Sequence, residues 1–217
     1  MKYKGIIFDL DGVLCHTDMF HYKAWKEIAD RINTPFDEEI NNQLRGVSRM
    51  DSLEKILANY TGEALSDDEK EKLATDKNER YKEMLMQMST EDLTPQVDEL
   101  LKVTKELGIK MAIGSSSRNA ALILERMGII DRFDAIADGN HITNSKPDPE
   151  VFLLAAEMLG LPPSECLVVE DAEAGAEAAA AGGFDCAGIG DANKVESVKY
   201  RLNCIKDLTD IVREIKI

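Results

Sequence analysis

Short apolar runs and longer amphipathic stretches alternate along most of the chain. The first run, Ile6 to Phe8, is continuous, as in strands that are covered on both faces of a sheet. Four later runs have a similar strand-like character: 111–113, 133–137, 166–169 and 187–189. Stretches with helical periodicity accompany them at 97–107, 120–127, 149–159 and 172–181. Alternating strands and helices predict an α/β fold with a doubly wound, mostly parallel, Rossmann-like core sheet.

A long helical segment interrupts this alternation directly after the first strand. From residue 17 to about residue 89 the apolar positions repeat with helical spacing, so that Trp25, Ile28 and Ala29, for example, share one face. Ser66 precedes an acidic run and is expected to be the N-cap of a helix in this segment. We therefore predict a helical cap domain, 17–89, inserted into a core formed by residues 1–16 and 90–217. The cap would lie over the C-terminal edge of the sheet.

Two carboxylates follow the first strand. Asp9 and Asp11 are separated by one residue and can project to the same side of an extended segment, at the edge where α/β sheets bind their ligands. Gly12 then allows a tight turn. Such a pair is costly unless a cation, a shared proton or an electrophile lies between the carboxylates. When this motif is considered alone, an ordinary Asp/Gly turn is the alternative interpretation.

Polar residues also follow later strands. A hydroxyl-rich segment opens a predicted helix and could bind an anion, although a helix cap without a ligand has the same signature. Lys146 precedes a helix that begins with prolines, and Glu170 and Asp171 end another strand. Alone, the lysine fits a solvated loop residue, and the acidic pair fits a favourable helix N-terminus. The hydroxyl-rich segment consists of Ser115, Ser116, Ser117, Arg118 and Asn119.

Together, these strand ends place carboxylates, hydroxyls and one lysine at the same edge of the predicted sheet. Oxygen ligands suit Mg²⁺, which would offset the repulsion between an aspartate and a phosphate. One carboxylate could then attack phosphorus as a nucleophile while another transfers a proton. Lys146 and Ser115 would hold the transferring oxygens. The combination predicts Mg²⁺-dependent phosphoryl transfer.

These motifs resemble those of the haloacid dehalogenase superfamily over essentially the whole chain. Its four motifs correspond to Asp9-Leu10-Asp11, Ser115, Lys146 and Glu170-Asp171. The resemblance implies that Asp9 is the phosphorylated nucleophile, Asp11 the general acid/base and Lys146 a charge-stabilising residue. It also implies a Mg²⁺ site formed by the side chains of Asp9, Glu170 and Asp171 together with the backbone carbonyl of Asp11.

Within that superfamily, the cap resembles that of the sugar phosphomutases. Arg49 matches a cap arginine that would hold the phosphate not being transferred. His21 and Lys77 would link substrate binding to cap closure and to protonation of the acid/base. Thr17 keeps the hinge threonine, whereas Cys15-His16 departs from the usual Thr-Asp. The resemblance implies the following substrate-binding residues: His21, Trp25, Gly46, Val47, Ser48, Arg49, Lys77, Ser115, Ser116, Ser117, Arg118 and Asn119.

The activity implied by this resemblance is interconversion of β-D-glucose 1-phosphate and glucose 6-phosphate. It would proceed through an aspartyl-phosphate enzyme and glucose 1,6-bisphosphate, which would also serve as activator. A Mg²⁺-dependent hexose-phosphate phosphatase shares the first half-reaction and is the main alternative. A phospho-aspartate receiver-like signalling domain uses similar groups, but the helical insert and the second carboxylate, Asp11, count against it.

Composition narrows the range of partners. The 217 residues carry a formal net charge of −15, which disfavours nucleic acid and anionic membranes but permits a small phosphorylated substrate. The sequence shows no signal-peptide-like region and no apolar run long enough to span a bilayer, so we expect a cytoplasmic enzyme, with a monomer as the default. The cysteines lack metal-site spacing and are expected to be buried free thiols: Cys15, Cys166, Cys186 and Cys204.

Overall fold

A computed structural model describes residues 2–215 and contains a central parallel sheet. Its strands are β1 (Gly5–Phe8), β2 (Lys110–Gly114), β3 (Ala135–Ala137), β4 (Cys166–Glu170), β5 (Asp185–Ile189) and β6 (Tyr200–Leu202). They are ordered β3-β2-β1-β4-β5-β6, and every neighbouring pair is parallel. The structure confirms the predicted doubly wound α/β fold.

Helices cover both faces of the sheet. Successive residues of β1 point to opposite faces and are apolar on both, so each face has to be buried. The core helices are α5 (Pro95–Glu106), α6 (Ala120–Arg126), α7 (Glu150–Leu159), α8 (Glu173–Ala181) and α9 (Ile205–Ile215). Ile6 and Phe8 belong to a hydrophobic cluster with residues of α5, α6 and α9, whereas Ile7 belongs to a second cluster with residues of α7 and α8. None of the helices within residues 2–215 combines the length and apolar character that a bilayer crossing requires.

The segment between β1 and α5 is helical and has a hydrophobic cluster of its own. Its helices are α1 (Asp18–Arg31), α2 (Glu38–Asn42), α3 (Arg49–Leu57) and α4 (Asp67–Leu85), which we refer to as the cap. Trp25 from α1 packs with Leu53 and Ile56 from α3. Ser66 forms a reciprocal capping box with Glu69 at the start of α4, which confirms the expected N-cap. The cap therefore has a hydrophobic cluster of its own, while Tyr81 and Leu85 of α4 pack in the cluster of the core.

Parts of the chain differ from the sequence-based expectations. β3 begins at Ala135 rather than at Phe133 because the Asp134 carboxylate accepts a hydrogen bond from the backbone N–H of Met111, 2.8 Å away. β6 and α9 were not predicted from the sequence. Cys204 is exposed in the bend between these two elements, so its predicted burial is wrong. The other cysteines are buried, and all of them are free thiols as expected.

Candidate active site

Adjacent central strands bring the polar strand ends together. β1 lies between β2 and β4 and is paired in parallel register with both, so the residues that follow these strands meet at one edge. The backbone N–H of Asp9 continues the ladder by donating to the carbonyl of Val169 at 2.9 Å. Asp9, Ser115 and Glu170 are consequently neighbours, and each of them is buried.

A buried ammonium group joins two of the carboxylates. Lys146 Nζ lies 2.6 Å from Oδ1 of Asp9 and 2.8 Å from Oε2 of Glu170, and the lysine side chain is 0% exposed. Lys146 belongs to the loop between β3 and α7. Because β2 separates β3 from β1 in the sheet, this loop must extend past β2 to place the lysine beside Asp9.

These charges shift one another's pKa. Burial, reinforced by the Glu170 carboxylate, raises the pKa of Asp9 well above its usual value. Burial alone would lower the pKa of Lys146, but the charges of Asp9 and Glu170 more than offset this effect and raise it. Lys146 is therefore protonated and supplies one positive charge to a group of buried carboxylates.

Three carboxylates form a candidate metal centre. Oxygen atoms of Asp9, Glu170 and Asp171 lie within 4.8 Å of one another. Burial and the Glu170 charge raise the pKa of Asp171 to about 8. Gly12, at φ 84°, approaches so closely that a Cβ atom there would collide with the Asp171 carboxylate. An oxygen-rich site with uncompensated negative charge fits a hard divalent cation such as Mg²⁺. The expected contribution of the Asp11 backbone carbonyl stays a prediction.

Side chains from the residue before α1 and from α4 hold the second aspartate. The Thr17 hydroxyl donates a hydrogen bond to Oδ1 of Asp11, and the Tyr81 hydroxyl donates to Oγ1 of Thr17 at 2.9 Å. The Cys15 thiol lies 3.9 Å from the same carboxylate oxygen. Burial raises the pKa of Asp11, while the hydrogen bond from Thr17 limits the rise. A carboxyl group in this setting is suited to donate a proton.

The hydroxyl-rich segment after β2 is ordered by its own side chains. Ser115, only 2% exposed, accepts a hydrogen bond from the backbone N–H of Ser117 at 3.1 Å. The Ser117 hydroxyl accepts one in turn from the backbone N–H of Asn119 at 3.2 Å. Ser116 donates from its hydroxyl to the carbonyl of Gly46 at 3.1 Å. The segment therefore forms a turn of polar groups that touches the cap.

The cap contributes a buried lysine next to a histidine. Lys77 Nζ lies 2.9 Å from Nδ1 of His21 and 5.0 Å from the ring centre of Trp25. Burial, with a contribution from the Arg49 charge, lowers the pKa of Lys77 to about 7. Burial and the Lys77 charge lower the pKa of His21 well below its usual value. His21 is therefore uncharged at neutral pH, and Lys77 is the member of the pair that gains or loses a proton there.

Cap and core enclose a cleft of about 1280 Å³. Arg49 lines it from the cap and Arg118 from the core; burial and the Arg118 charge lower the pKa of Arg49. Two guanidinium groups that repel each other across a cleft favour an anion between them. Thr17 and Glu170 are buried beneath the cleft surface. The sequence-predicted residues that line it are Asp9, Asp11, His21, Trp25, Gly46, Val47, Ser48, Arg49, Lys77, Ser115, Ser116, Ser117, Arg118, Asn119, Lys146 and Asp171.

Other residues of this cleft were not predicted from the sequence. Arg45 directly precedes the cap motif and pairs with Asp18 at 3.1 Å. Asn78 follows Lys77 and accepts a hydrogen bond from Nδ2 of Asn119 at 3.0 Å, which joins α4 to the core. Arg45 and Asn78 are each adjacent in sequence to a predicted site residue, and this adjacency could have identified them. Long-range contacts such as that of Tyr81 with Thr17 had no counterpart in the local sequence pattern.

Comparisons with known proteins find sugar-phosphate enzymes of similar sequence and fold. A family model for haloacid dehalogenase-like hydrolases matches residues 3–183. The chain is 42% identical to β-phosphoglucomutase of Bacillus subtilis over 207 residues, and this match covers 95% of this chain and 92% of that protein. The crystal structure of β-phosphoglucomutase from Clostridium difficile matches with a TM-score of 0.92 at 34% identity, covering 99% of this chain and 96% of that one. A fructose-1-phosphate phosphatase of Escherichia coli is 33% identical over 184 residues, 85% of this chain and 95% of that protein.

Proposed function

The chain belongs to the haloacid dehalogenase-like hydrolase family, and we propose that it is a β-phosphoglucomutase. It would interconvert β-D-glucose 1-phosphate and glucose 6-phosphate through a phosphorylated Asp9 and glucose 1,6-bisphosphate. The similarity to the enzymes of B. subtilis and C. difficile, which extends over nearly the whole chain, supports this choice.

Cationic groups on both walls of the cleft are the observation on which the proposal depends. Lys146 lies 2.6 Å from the proposed nucleophile Asp9 in the core, whereas Arg49 lines the cleft from the cap. A mutase must hold both phosphates of a sugar bisphosphate at once, while a phosphatase acting on a monophosphate needs to hold one. Arg49, with Arg118 opposite, is the proposed site of the phosphate that is not transferred.

Asp9 would act as the nucleophile. One of its carboxylate oxygens forms a bond to phosphorus as the bond between phosphorus and the sugar oxygen breaks. Asp11, held by Thr17, gives its proton to the departing sugar oxygen. In the second half-reaction, a free hydroxyl of a glucose monophosphate, which keeps its own phosphate, loses its proton to Asp11 and takes the phosphoryl group from Asp9, so that glucose 1,6-bisphosphate forms. Transfer of the other phosphoryl group of the bisphosphate to Asp9, with the Asp11 proton passing to the departing sugar oxygen, then releases the isomeric monophosphate and leaves Asp9 phosphorylated again. Lys146 and Ser115 hold the transferring oxygens throughout.

We propose that the reaction depends on Mg²⁺. Asp9, Glu170 and Asp171, with the backbone carbonyl of Asp11, would hold the ion, whose charge would offset the repulsion between carboxylate and phosphate.

The cap residues have proposed roles in binding and closure. We propose residues 17–89 as the cap domain and residues 1–16 and 90–217 as the core domain, with Thr17 at the hinge between them. His21 and Lys77, which contact each other at 2.9 Å, would sense the bound sugar and influence protonation of Asp11. Closure matters because a phosphorylated Asp9 must react with a sugar hydroxyl rather than with water.

A hexose-phosphate phosphatase is the second candidate function. The 33% identity to the E. coli fructose-1-phosphate phosphatase supports it, because that protein covers most of this chain as well. Both activities share phosphoryl capture on Asp9 and differ in whether sugar or water attacks the aspartyl phosphate.

Product analysis distinguishes the two candidates. The enzyme would be incubated with pure β-glucose 1-phosphate, Mg²⁺ and a trace of glucose 1,6-bisphosphate, and both glucose 6-phosphate and free phosphate would be measured. We expect glucose 6-phosphate as the main product. Release of free phosphate without glucose 6-phosphate would refute the mutase assignment.

An Arg49→Ala variant tests the second phosphate site. Mutase turnover should fall strongly, since truncating one partner of a partly desolvated charge pair with a phosphate typically costs about 2–5 kcal/mol. Phosphorylation of Asp9 by a small phosphoryl donor should persist, because Arg49 belongs to the opposite wall. Arg31→Ala is a suitable control, since Arg31 is an exposed cap arginine paired with Asp76 at 2.8 Å. Unchanged mutase kinetics in the Arg49 variant would contradict its assigned role.

A further inference from the structure

Side-chain hydrogen bonds join the cap to the core across the mouth of the cleft. Two of them, from Ser116 and Asn119, start in the segment already proposed to bind phosphate. A third lies outside that segment: the Ser145 hydroxyl donates to Oδ2 of Asp51 at 2.7 Å. Neither Asp51 nor Ser145 has a place in the phosphoryl-transfer machinery described above, so this contact needs a separate explanation.

The Asp51 carboxylate accepts hydrogen bonds from both sides of the cleft. Besides the bond from Ser145, its Oδ2 atom accepts one from the hydroxyl of Ser48 at 2.6 Å. Ser48 immediately precedes Arg49, and Ser145 immediately precedes Lys146. One carboxylate oxygen therefore links the backbone next to the proposed distal phosphate site with the backbone next to the proposed transfer site.

This arrangement has the properties of a latch. A hydrogen bond to a charged carboxylate is stronger than one between neutral groups, yet at a partly exposed position it is weak enough to open in each catalytic cycle. Asp51 is exposed and Ser145 is partly exposed, so water can replace the bond when the cap moves away. The bond can form only when α3 and the loop before α7 are close together.

We propose that the Asp51–Ser145 hydrogen bond is a positioning contact that keeps the cleft closed while Asp9 carries the phosphoryl group. The inference rests on the proposed mutase function. Attack by the sugar hydroxyl and attack by water both break the bond between phosphorus and Asp9, and in both cases Asp11 takes the proton of the attacking oxygen. The two outcomes differ in access to the site, so the latch sets the ratio of free phosphate to glucose 6-phosphate.

Ser145→Ala is the sharpest test, because it removes the donor and leaves the cap helix and its Ser48–Asp51 contact intact. With β-glucose 1-phosphate, Mg²⁺ and a trace of glucose 1,6-bisphosphate, the ratio of free phosphate to glucose 6-phosphate should rise about three- to tenfold, as expected for loss of one partly exposed charge-assisted hydrogen bond. Ser145→Thr keeps the hydroxyl and should restore the wild-type ratio. Glu54→Gln is the matched control, since Glu54 lies on the same helix but pairs within the cap with Lys70 at 2.9 Å.

A double variant tests the link between the two residues. Asp51→Asn combined with Ser145→Ala should change the ratio no more than the larger single change, because both remove the same interaction. Fully multiplicative effects would overturn the inference, as would an unchanged ratio in Ser145→Ala or an equal change in Glu54→Gln. Thermal melts followed by circular dichroism verify that each variant is folded.

The outcomes separate this inference from the function on which it rests. Wild-type enzyme that yields free phosphate without glucose 6-phosphate would overturn both. Wild-type mutase activity together with an unaltered ratio in Ser145→Ala would overturn the latch alone.

Discussion

Replacing Lys146 with methionine tests the charge arrangement of the site most directly. The ammonium group contacts Asp9 at 2.6 Å and Glu170 at 2.8 Å, and the side chains of these three residues are 0%, 9% and 1% exposed, respectively. Methionine keeps much of the apolar stem but leaves two buried carboxylates without a counter-charge. Removal of one member of a buried ion pair costs about 3–5 kcal/mol, and we expect a loss of unfolding free energy in that range near neutral pH.

The pH dependence of this loss has a definite sign. Burial and the Glu170 charge already raise the pKa of Asp9, and removal of Lys146 would raise it further. The folded variant then binds protons at pH values where the unfolded chain has released them, so its stability rises as the pH falls toward the unfolded value of about 4. The deficit of the variant relative to the wild type should therefore shrink as the pH falls through the raised pKa of Asp9 in the variant.

Urea denaturation in the presence of EDTA measures this effect. Far-UV circular dichroism is the better probe, because the single tryptophan, Trp25, lies in the cap. Lys105→Met, on the exposed face of α5, is the control and should change stability by no more than about 0.5 kcal/mol. A deficit below about 1 kcal/mol for Lys146→Met, typical of an exposed pair, or a deficit that does not vary with pH, would refute the reasoning.

The remaining predictions concern backbone geometry and titration. Gly12→Ala should abolish phosphorylation of Asp9 because the new Cβ displaces the Asp171 carboxylate, whereas Gly108→Ala, at a similar φ of 70° with open space around it, should cost about 1–2 kcal/mol in urea melts and leave activity intact. Burial lowers the pKa of Lys77 to about 7, below the unfolded value of about 10.4. The wild type should therefore become more stable relative to Lys77→Met as the pH rises across that interval, by up to about 1.4 kcal/mol per pH unit. A difference in stability that does not change with pH would contradict this. Burial would raise the pKa of Asp185, but hydrogen bonds from lysine and tyrosine side chains hold it well below its usual range; thermal melts should show Asp185→Asn less stable than wild type near neutral pH, with the difference disappearing as the pH falls below about 4.

The convergence of the strand ends could be predicted because it follows from topology. Apolar runs that alternate with helices indicate a parallel sheet, and the carboxyl ends of its strands share one edge. Asp9 and Ser115 directly follow β1 and β2, and Glu170 is the last residue of the neighbouring β4, so their proximity required no knowledge of loop paths. Local sequence also identified the start of α4, since Ser66 and Glu69 form their capping box within one turn.

Contacts that depend on long loops or on the placement of the cap could not be predicted in this way. Lys146 reaches Asp9 from a loop whose path past β2 is not encoded in any local pattern. The Tyr81–Thr17 hydrogen bond and the Ser145–Asp51 hydrogen bond depend on how two separately packed units fit together. β6 escaped notice because a three-residue edge strand is too short for periodicity to be visible.

The electrostatics of the two walls explain why metal and phosphate binding should reinforce each other. In the core, burial and neighbouring carboxylates raise the pKa of Asp171 to about 8, which means that its negative charge lacks compensation. On the cap, burial and the Arg49 charge lower the pKa of Lys77 to about 7, which means that positive charge there is disfavoured as well. A ligand with a divalent cation at its core end and a phosphate at its cap end relieves both penalties at once. Each bound charge makes the wall that holds it easier to ionise, and the bound cation and phosphate attract each other, so neither Mg²⁺ nor a sugar phosphate alone should stabilise the closed arrangement as much as the two together.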